Sequence, residues 1–158
     1  MRRFRPLALR AAKRYDAGMI GKLNHVGVAT PTLEDSIALY RDMLGATSIT
    51  EPFVMEEQGV KVCFVNLPNS QIELLEPWGE KSPVRGFLEK NPKGGQHHVC
   101  FEVEDIIVAR DDMVAKGATV LNDGKPRIGA HGVPVIFVHP KNMGGVLVEL
   151  METPKGAH

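Results

Sequence analysis

The chain has no excess charge of either sign: 19 lysines and arginines stand against 19 aspartates and glutamates in 158 residues. That balance leaves no electrostatic footprint for nucleic acid or an anionic membrane, so neither is expected as a partner. No apolar run approaches the ~18–20 residues that span a bilayer. Cysteine is scarce. Cys63 and Cys100 both sit in strand-like apolar runs and read as two buried free thiols in a reducing compartment, not as a disulfide framework. Acids are missing from one stretch in particular. MRRFRPLALRAAKRYDAG carries Arg2, Arg3, Arg5, Arg10, Lys13 and Arg14 before its first acid, Asp16. Arg-rich, acid-poor and interleaved with apolar residues, it has the composition of a mitochondrial transit segment; the alternative is a basic arm. Residues 1–19 are therefore set apart, and 20–158 are long enough for one domain with a real core.

What remains says nearly the same thing twice. HVGVA at 25–29 returns as HVCFE at 98–102, and GVKVCFV at 59–65 returns as GVPVIFV at 132–138, each 73 residues later. IELLEP at 72–77 returns as VELMETP at 148–154, with glutamates at 73 and 149, so the second copy holds a loop three residues longer. The first copy opens with strand LNHVGVAT. A helix LEDSIALYRDMLG follows, with Thr32 as N-cap, an apolar stripe of Leu33, Ile37, Tyr40 and Leu44, and Gly45 as C-cap. Strands TSITEPFV, VKVCFVNL and QIELLEP complete it. The second copy gives HHVCFEV, helix DIIVARDDMVAKG, then ATVLND, VPVIFVHP and GVLVELME. Between them, SPVRGFLEKN reads as a short helix with Pro/Gly-rich flanks. The expectation is an α+β fold of two tandem βαβββ units, about 22–77 and 96–153, whose half-sheets curl into an open barrel-like cleft.

The period of two along a strand sorts the side chains. Val26 and Val28, Ile72 and Leu74, Val99 and Phe101, and Val148 and Leu150 form apolar rows that suit helix packing. His25, Glu73, His98 and Glu149 fall on the other, cleft-lining face, one His and one Glu from each copy. His97, next to His98, falls in the helix-packing row as a buried or hydrogen-bonded histidine. A lone strand histidine is usually just a satisfied polar residue. The repetition in phase is what makes these four a metal site. Two imidazoles and two carboxylates suit one borderline divalent cation such as Zn²⁺, Co²⁺, Mn²⁺, Ni²⁺ or Fe²⁺.

At these residues the sequence resembles a known family. The doubled βαβββ unit with alternating His and Glu is similar to the vicinal oxygen chelate, or glyoxalase-like, superfamily. HVGVATPTLEDSIALYRDMLG, GGQHHVCFEVEDI and FVHPKNMGGVLVELMETP resemble the methylmalonyl-CoA epimerase family, over about residues 20–155. The resemblance implies a metal-dependent isomerase that interconverts (2R)- and (2S)-methylmalonyl-CoA in propionate and branched-chain breakdown. It also implies a mitochondrial matrix location, a homodimer, and His25, Glu73, His98 and Glu149 as ligands of an ion that is often cobalt in vitro. The substrate's C2 proton lies between a thioester and a carboxylate. Its removal gives an enolate that a Lewis-acidic cation stabilises, and return of a proton on the opposite face inverts the centre.

Glu149 is the first candidate for the base. Some relatives carry a second glutamate on the strand that reads GVKVCFV here, but the matching position is Val62, so Glu73, Lys61 or a held water stay open for the second role. The loop NDGKPRIGAHG offers Lys125, Arg127 and His131 to the phosphates of the CoA tail. A glyoxalase I-like lyase acting on a glutathione hemithioacetal would use the same four ligands. A non-enzymatic ligand-binding module of this fold would not need them.

Overall fold

The structure is a computed structural model and describes residues 18–156; the expected transit segment lies almost wholly outside the described residues. The chain runs β1 (Leu23–Ala29), α1 (Leu33–Asp42), β2 (Phe53–Met55), β3 (Val60–Asn66), β4 (Gln71–Pro77), α2 (Pro83–Lys90), β5 (Gly95–Val103), α3 (Ile106–Ala115), β6 (Arg127–Ile128), β7 (Pro134–Val138) and β8 (Val148–Glu152). The eight strands form one curled sheet in the order β2-β3-β4-β1-β5-β8-β7-β6. In each half the first strand pairs parallel with the last, β1 with β4 and β5 with β8, and the others pair antiparallel. The antiparallel pair β1–β5 joins the halves at the centre.

Local chemistry starts and stops the helices as the sequence leads one to expect. The Thr32 hydroxyl accepts the Asp35 N–H at 3.3 Å, and Ser82 and Asp105 cap α2 and α3 in the same way. At the C-terminus of α1, Gly45 (φ +68°) turns the chain back so that the Ala46 N–H reaches Tyr40 O. Leu33 of α1 packs with Cys63, Val65 and Leu74 of the sheet, all buried; Ile106 and Ala109 of α3 pack with Val138, Val148 and Leu150. Burying each large apolar side chain contributes on the order of 1.5–3 kcal/mol. Both helices cover one face of the sheet, so the face bearing His25 and His98 is left to curl into a cleft. α2 closes one end of that cleft by setting Val84, Phe87 and Leu88 against Ala29, Val60, Val62 and Leu75.

Some elements differ from the reading of the sequence. TSITEPFV contributes only Phe53 and Val54 to β2; upstream, Ile49 makes a single bridge to Val65. Pro52 has no N–H with which to continue a ladder. ATVLND likewise reduces to one bridge, Val120 to Val138, before Asn122 and Asp123 turn the chain at φ +55°. β8 begins at Val148, not at Gly145. Leu44, placed on the buried stripe of α1, is 74% exposed because the helix has already ended at Asp42.

Candidate metal centre and active-site cleft

Four buried side chains converge from the centre of the sheet: His25 on β1, Glu73 on β4, His98 on β5 and Glu149 on β8. His25 Nε2 lies 3.2 Å from His98 Nε2, 3.3 Å from Glu73 Oε2 and 3.2 Å from Glu149 Oε2. His98 Nε2 lies 3.2 Å from Glu73 Oε2 and 3.0 Å from Glu149 Oε2. Ligands about 2.0–2.2 Å from a cation stand roughly 3.0–3.5 Å from one another in octahedral or tetrahedral geometry. The observed edges match that spacing, and the donor set of two imidazoles and two carboxylates is that of a borderline divalent ion. These four residues therefore fit such an ion.

The electrostatics show what the quartet costs without a cation. Burial alone would lower the pKa of both histidines. For His25, hydrogen bonds to Cys100, Glu149 and Glu73 override burial and push it up to about 12. For His98, bonds to Glu149 and Glu73 push it up to about 9. Burial would raise both glutamates, but the two histidines hold Glu73 down at about 2 and keep Glu149 low as well. Without a cation, the histidines and glutamates thus favour each other's charged forms, and a dication bound here would compete with protons for the imidazoles.

Each histidine is oriented from behind. His25 Nδ1 lies 2.8 Å from Asn24 Oδ1, and the Asn24 amide donates to Glu102 Oε1 at 3.0 Å. A carboxylate can only accept, so Asn24 must turn its oxygen to the imidazole, and His25 then carries its proton on Nδ1. His98 Nδ1 lies 2.9 Å from His97 Nδ1. Burial and the neighbouring His98 charge hold His97 down at about 4, so it is neutral and free to accept. Gly27 clears the floor under His98: a Cβ there would come within 2.1 Å of the imidazole Cε1.

His97 departs from the sequence reading. The β1–β5 ladder pairs Gly27 with His98 and Val28 with Gln96, so His97 is an extra residue on β5. This bulge breaks the alternation that would have sent it to the helix-packing row, and it lines the cleft beside His98 with its ring against Phe87.

The quartet opens into a cavity of about 1060 Å³. Its walls include apolar Leu75, Val84, Phe137 and Leu147, with Trp78, Lys81, Lys125 and Arg127 further out. Lys125 and Arg127 line this cavity. His131 does not. The turn closed by the Gly132 N–H on Gly129 O folds it inward, where it stacks on Phe64 at 4.5 Å and donates through Nε2 to Asn24 Oδ1. Lys61, by contrast, lies away from the centre. On β3, Val60 and Val62 face the cleft, while Lys61 alternates to the α1 side with Cys63 and Val65. Sequence reasoning missed Asn24, Gly27, Trp78 and Lys81. The first of these had a signal: Asn24 precedes His25 as His97 precedes His98, 73 residues apart.

Comparison with known proteins agrees with this geometry. The sequence profile of the glyoxalase/bleomycin resistance protein/dioxygenase superfamily matches residues 24–137. The chain is 58% identical over 132 residues to an ethylmalonyl-CoA/methylmalonyl-CoA epimerase of Cereibacter sphaeroides, covering 84% of this chain and 98% of that protein. It is 51% identical to the mitochondrial methylmalonyl-CoA epimerase of Homo sapiens over 131 residues, covering 83% and 73%. The crystal structure of methylmalonyl-CoA epimerase from Mycobacterium tuberculosis matches with a TM-score of 0.78 at 30% identity, covering 87% and 91% of the two chains. A methylmalonyl-CoA epimerase in complex with methylmalonyl-CoA and NH4+ matches at 0.79 with 34% identity, covering 86% and 96%. The chain belongs to the glyoxalase/bleomycin resistance protein/dioxygenase superfamily and, within it, to the methylmalonyl-CoA epimerases.

Proposed function

We propose that the protein interconverts (2R)- and (2S)-methylmalonyl-CoA by removing and returning the proton at C2. The observation that carries this is the buried quartet of His25, Glu73, His98 and Glu149 at the floor of a cavity large enough for an acyl thioester. His25, His98, Glu73 and Glu149 would hold one divalent cation, which supplies Lewis-acid stabilisation of the negative charge that develops on the substrate's oxygens.

Glu149 takes the proton. Its Oε2 faces the two histidines, and its Oε1 lies toward Gly129, where the absence of a side chain leaves the carboxylate uncovered. For the opposite face the candidates are Glu73, the equivalent residue of the other half, and a water held in the cleft, since Lys61 lies on the α1 side. Apolar walls exclude water, so that negative charge at the reacting centre is not dispersed in solvent. Lys125 and Arg127, with Lys81 nearby, receive the phosphates of the CoA tail, and Trp78 offers an exposed aromatic surface beside them. Cobalt is the in-vitro ion this family resemblance favours, with zinc, manganese and nickel as alternatives.

The test is wash-in of deuterium at C2 of methylmalonyl-CoA in heavy water, with and without a chelator. Metal-dependent exchange is expected. Absence of exchange beside turnover of a glutathione hemithioacetal overturns the reading. Glu149→Gln, which keeps the shape and removes the base, should slow exchange by about 10²–10⁴-fold. A mitochondrial matrix location is supported by the mitochondrial relatives and by the basic leader, and is tested by import of the full chain; the Cereibacter relative is bacterial. The homodimer is tested by light scattering.

A further inference from the structure

We infer that the residue immediately before each metal-binding histidine, Asn24 and His97, is a positioning residue, turned back onto its neighbour by a β-bulge so that it accepts the imidazole Nδ1–H and leaves Nε2 for the ion. This rests on the reading of the quartet as a metal site.

The geometry is the same in both halves. The β1–β5 ladder pairs Leu23 with Phe101 and His25 with Cys100, which leaves Asn24 as an extra residue on β1. It pairs Gly27 with His98 and Val28 with Gln96, which leaves His97 as an extra residue on β5. On a regular strand, neighbouring side chains point to opposite faces and cannot touch around the edge of the backbone. Both bulges remove that obstacle at one position, immediately before the ligand. The resulting contacts are 2.8 Å for Asn24 Oδ1 to His25 Nδ1 and 2.9 Å for His97 Nδ1 to His98 Nδ1.

The partners differ in how firmly their own orientation is fixed. Asn24 is held by Glu102 on one side and His131 on the other. His97 is held by packing against Phe87 and accepts only in the tautomer that protonates its Nε2. The sequence itself therefore names the conservative replacement: an asparagine already does at 24 what His97 does 73 residues later.

The experiment measures affinity for Zn²⁺ and Co²⁺ by competition with a chromophoric chelator, together with the visible absorption of the Co²⁺ form. The proteins are the full chain, Asn24→Leu, His97→Phe, His97→Ala and His97→Asn. Loss of an outer hydrogen bond to a ligand histidine costs roughly 10–100-fold in metal affinity. Asn24→Leu, His97→Phe and His97→Ala should show that loss and a shifted Co²⁺ spectrum; His97→Asn should recover most of the affinity and the original bands. Should His97→Phe not fold, the Ala and Asn variants still carry the comparison. His97→Asn as weak as His97→Ala shows that ring packing, not acceptance, matters and overturns the inference, as does full affinity in His97→Ala and Asn24→Leu. A wild-type chain that binds neither ion overturns the metal reading itself.

Discussion

Gly27→Ala should disable the centre although Gly27 bears no functional group. Gly27 sits on β1 opposite His98, and an added methyl would lie 2.1 Å from Cε1, 2.3 Å from Nδ1 and 2.6 Å from Nε2 of that imidazole. Carbon atoms in contact stand about 3.5–4.0 Å apart, so the ring must withdraw by about 1.4 Å or more. The backbone cannot yield instead, because β1 is pinned by β4 on one side and β5 on the other. Metal–ligand distances tolerate only about 0.2 Å. The displacement therefore exceeds the tolerance severalfold, and His98 leaves the coordination sphere. Overpacking of this kind also destabilises the fold by roughly 1–3 kcal/mol, a fall of about 2–12 °C in Tm for a domain of this size. Gly86 supplies the control. It lies on the exposed face of α2 with nothing within 4 Å of a Cβ, and no positive φ constrains it. Gly86→Ala should stabilise the protein by about 0.5–1 kcal/mol. The assays are thermal unfolding of the metal-free chains and chelator competition for Zn²⁺. Gly27→Ala with wild-type Tm and wild-type affinity would refute the placement of His98 against β1.

Other expectations concern charge. In the metal-free protein, His98 and His25 are raised above their ordinary value of 6.5, so their contribution to stability is complete below about pH 6.5 and is lost as pH rises through about 9 and beyond. Glu73 and Glu149 are lowered from 4.5, so their contribution is complete above about pH 4.5 and is lost as pH falls below it, for Glu73 through about 2. Thermal unfolding of the chelated protein should show Tm declining from pH 6.5 to 9, and a rise over that interval contradicts the assignment. Lys125→Ala with Arg127→Ala should raise KM for the CoA thioester with kcat little changed, as expected for contacts made equally in ground and transition states. An unchanged KM, or one insensitive to added salt, removes both side chains from the CoA site.

The sequence was most informative where the period of two holds. From Ala29 back to His25, and along Glu73 and Glu149, alternation alone sorted the helix-packing side chains from the cleft, because one face of each strand is apolar. It failed where a single extra residue enters the ladder. Alternation sends His97 to the helix-packing face because a bulge carries no marker of its own; neither Asn24 nor His97 is flanked by a residue that forces one. The sequence puts His131 at the rim because loop chemistry reveals charge and turn position, not the direction in which a turn folds. Lys61 is the opposite case: parity set it on the face away from Val62, and there it stands, paired across the strands with Val54 and Glu76.

The approximate two-fold that duplicates the halves also exposes what is unequal in them. Across the central pair, Gly27 faces His98 while Cys100, its counterpart in the repeat, faces His25. One imidazole therefore lies on bare backbone and the other against a thiol whose pKa burial raises to about 12. A thiol that stays protonated does not compete for the cation as a thiolate would. The centre thus keeps an all-nitrogen and oxygen donor set although a cysteine touches it, which favours a borderline ion able to polarise a carbonyl over a thiophilic one. Cys100→Ala should accordingly leave the preference among Zn²⁺, Co²⁺ and Mn²⁺ unchanged in chelator competition. A shift away from zinc would show that sulfur takes part in holding the ion.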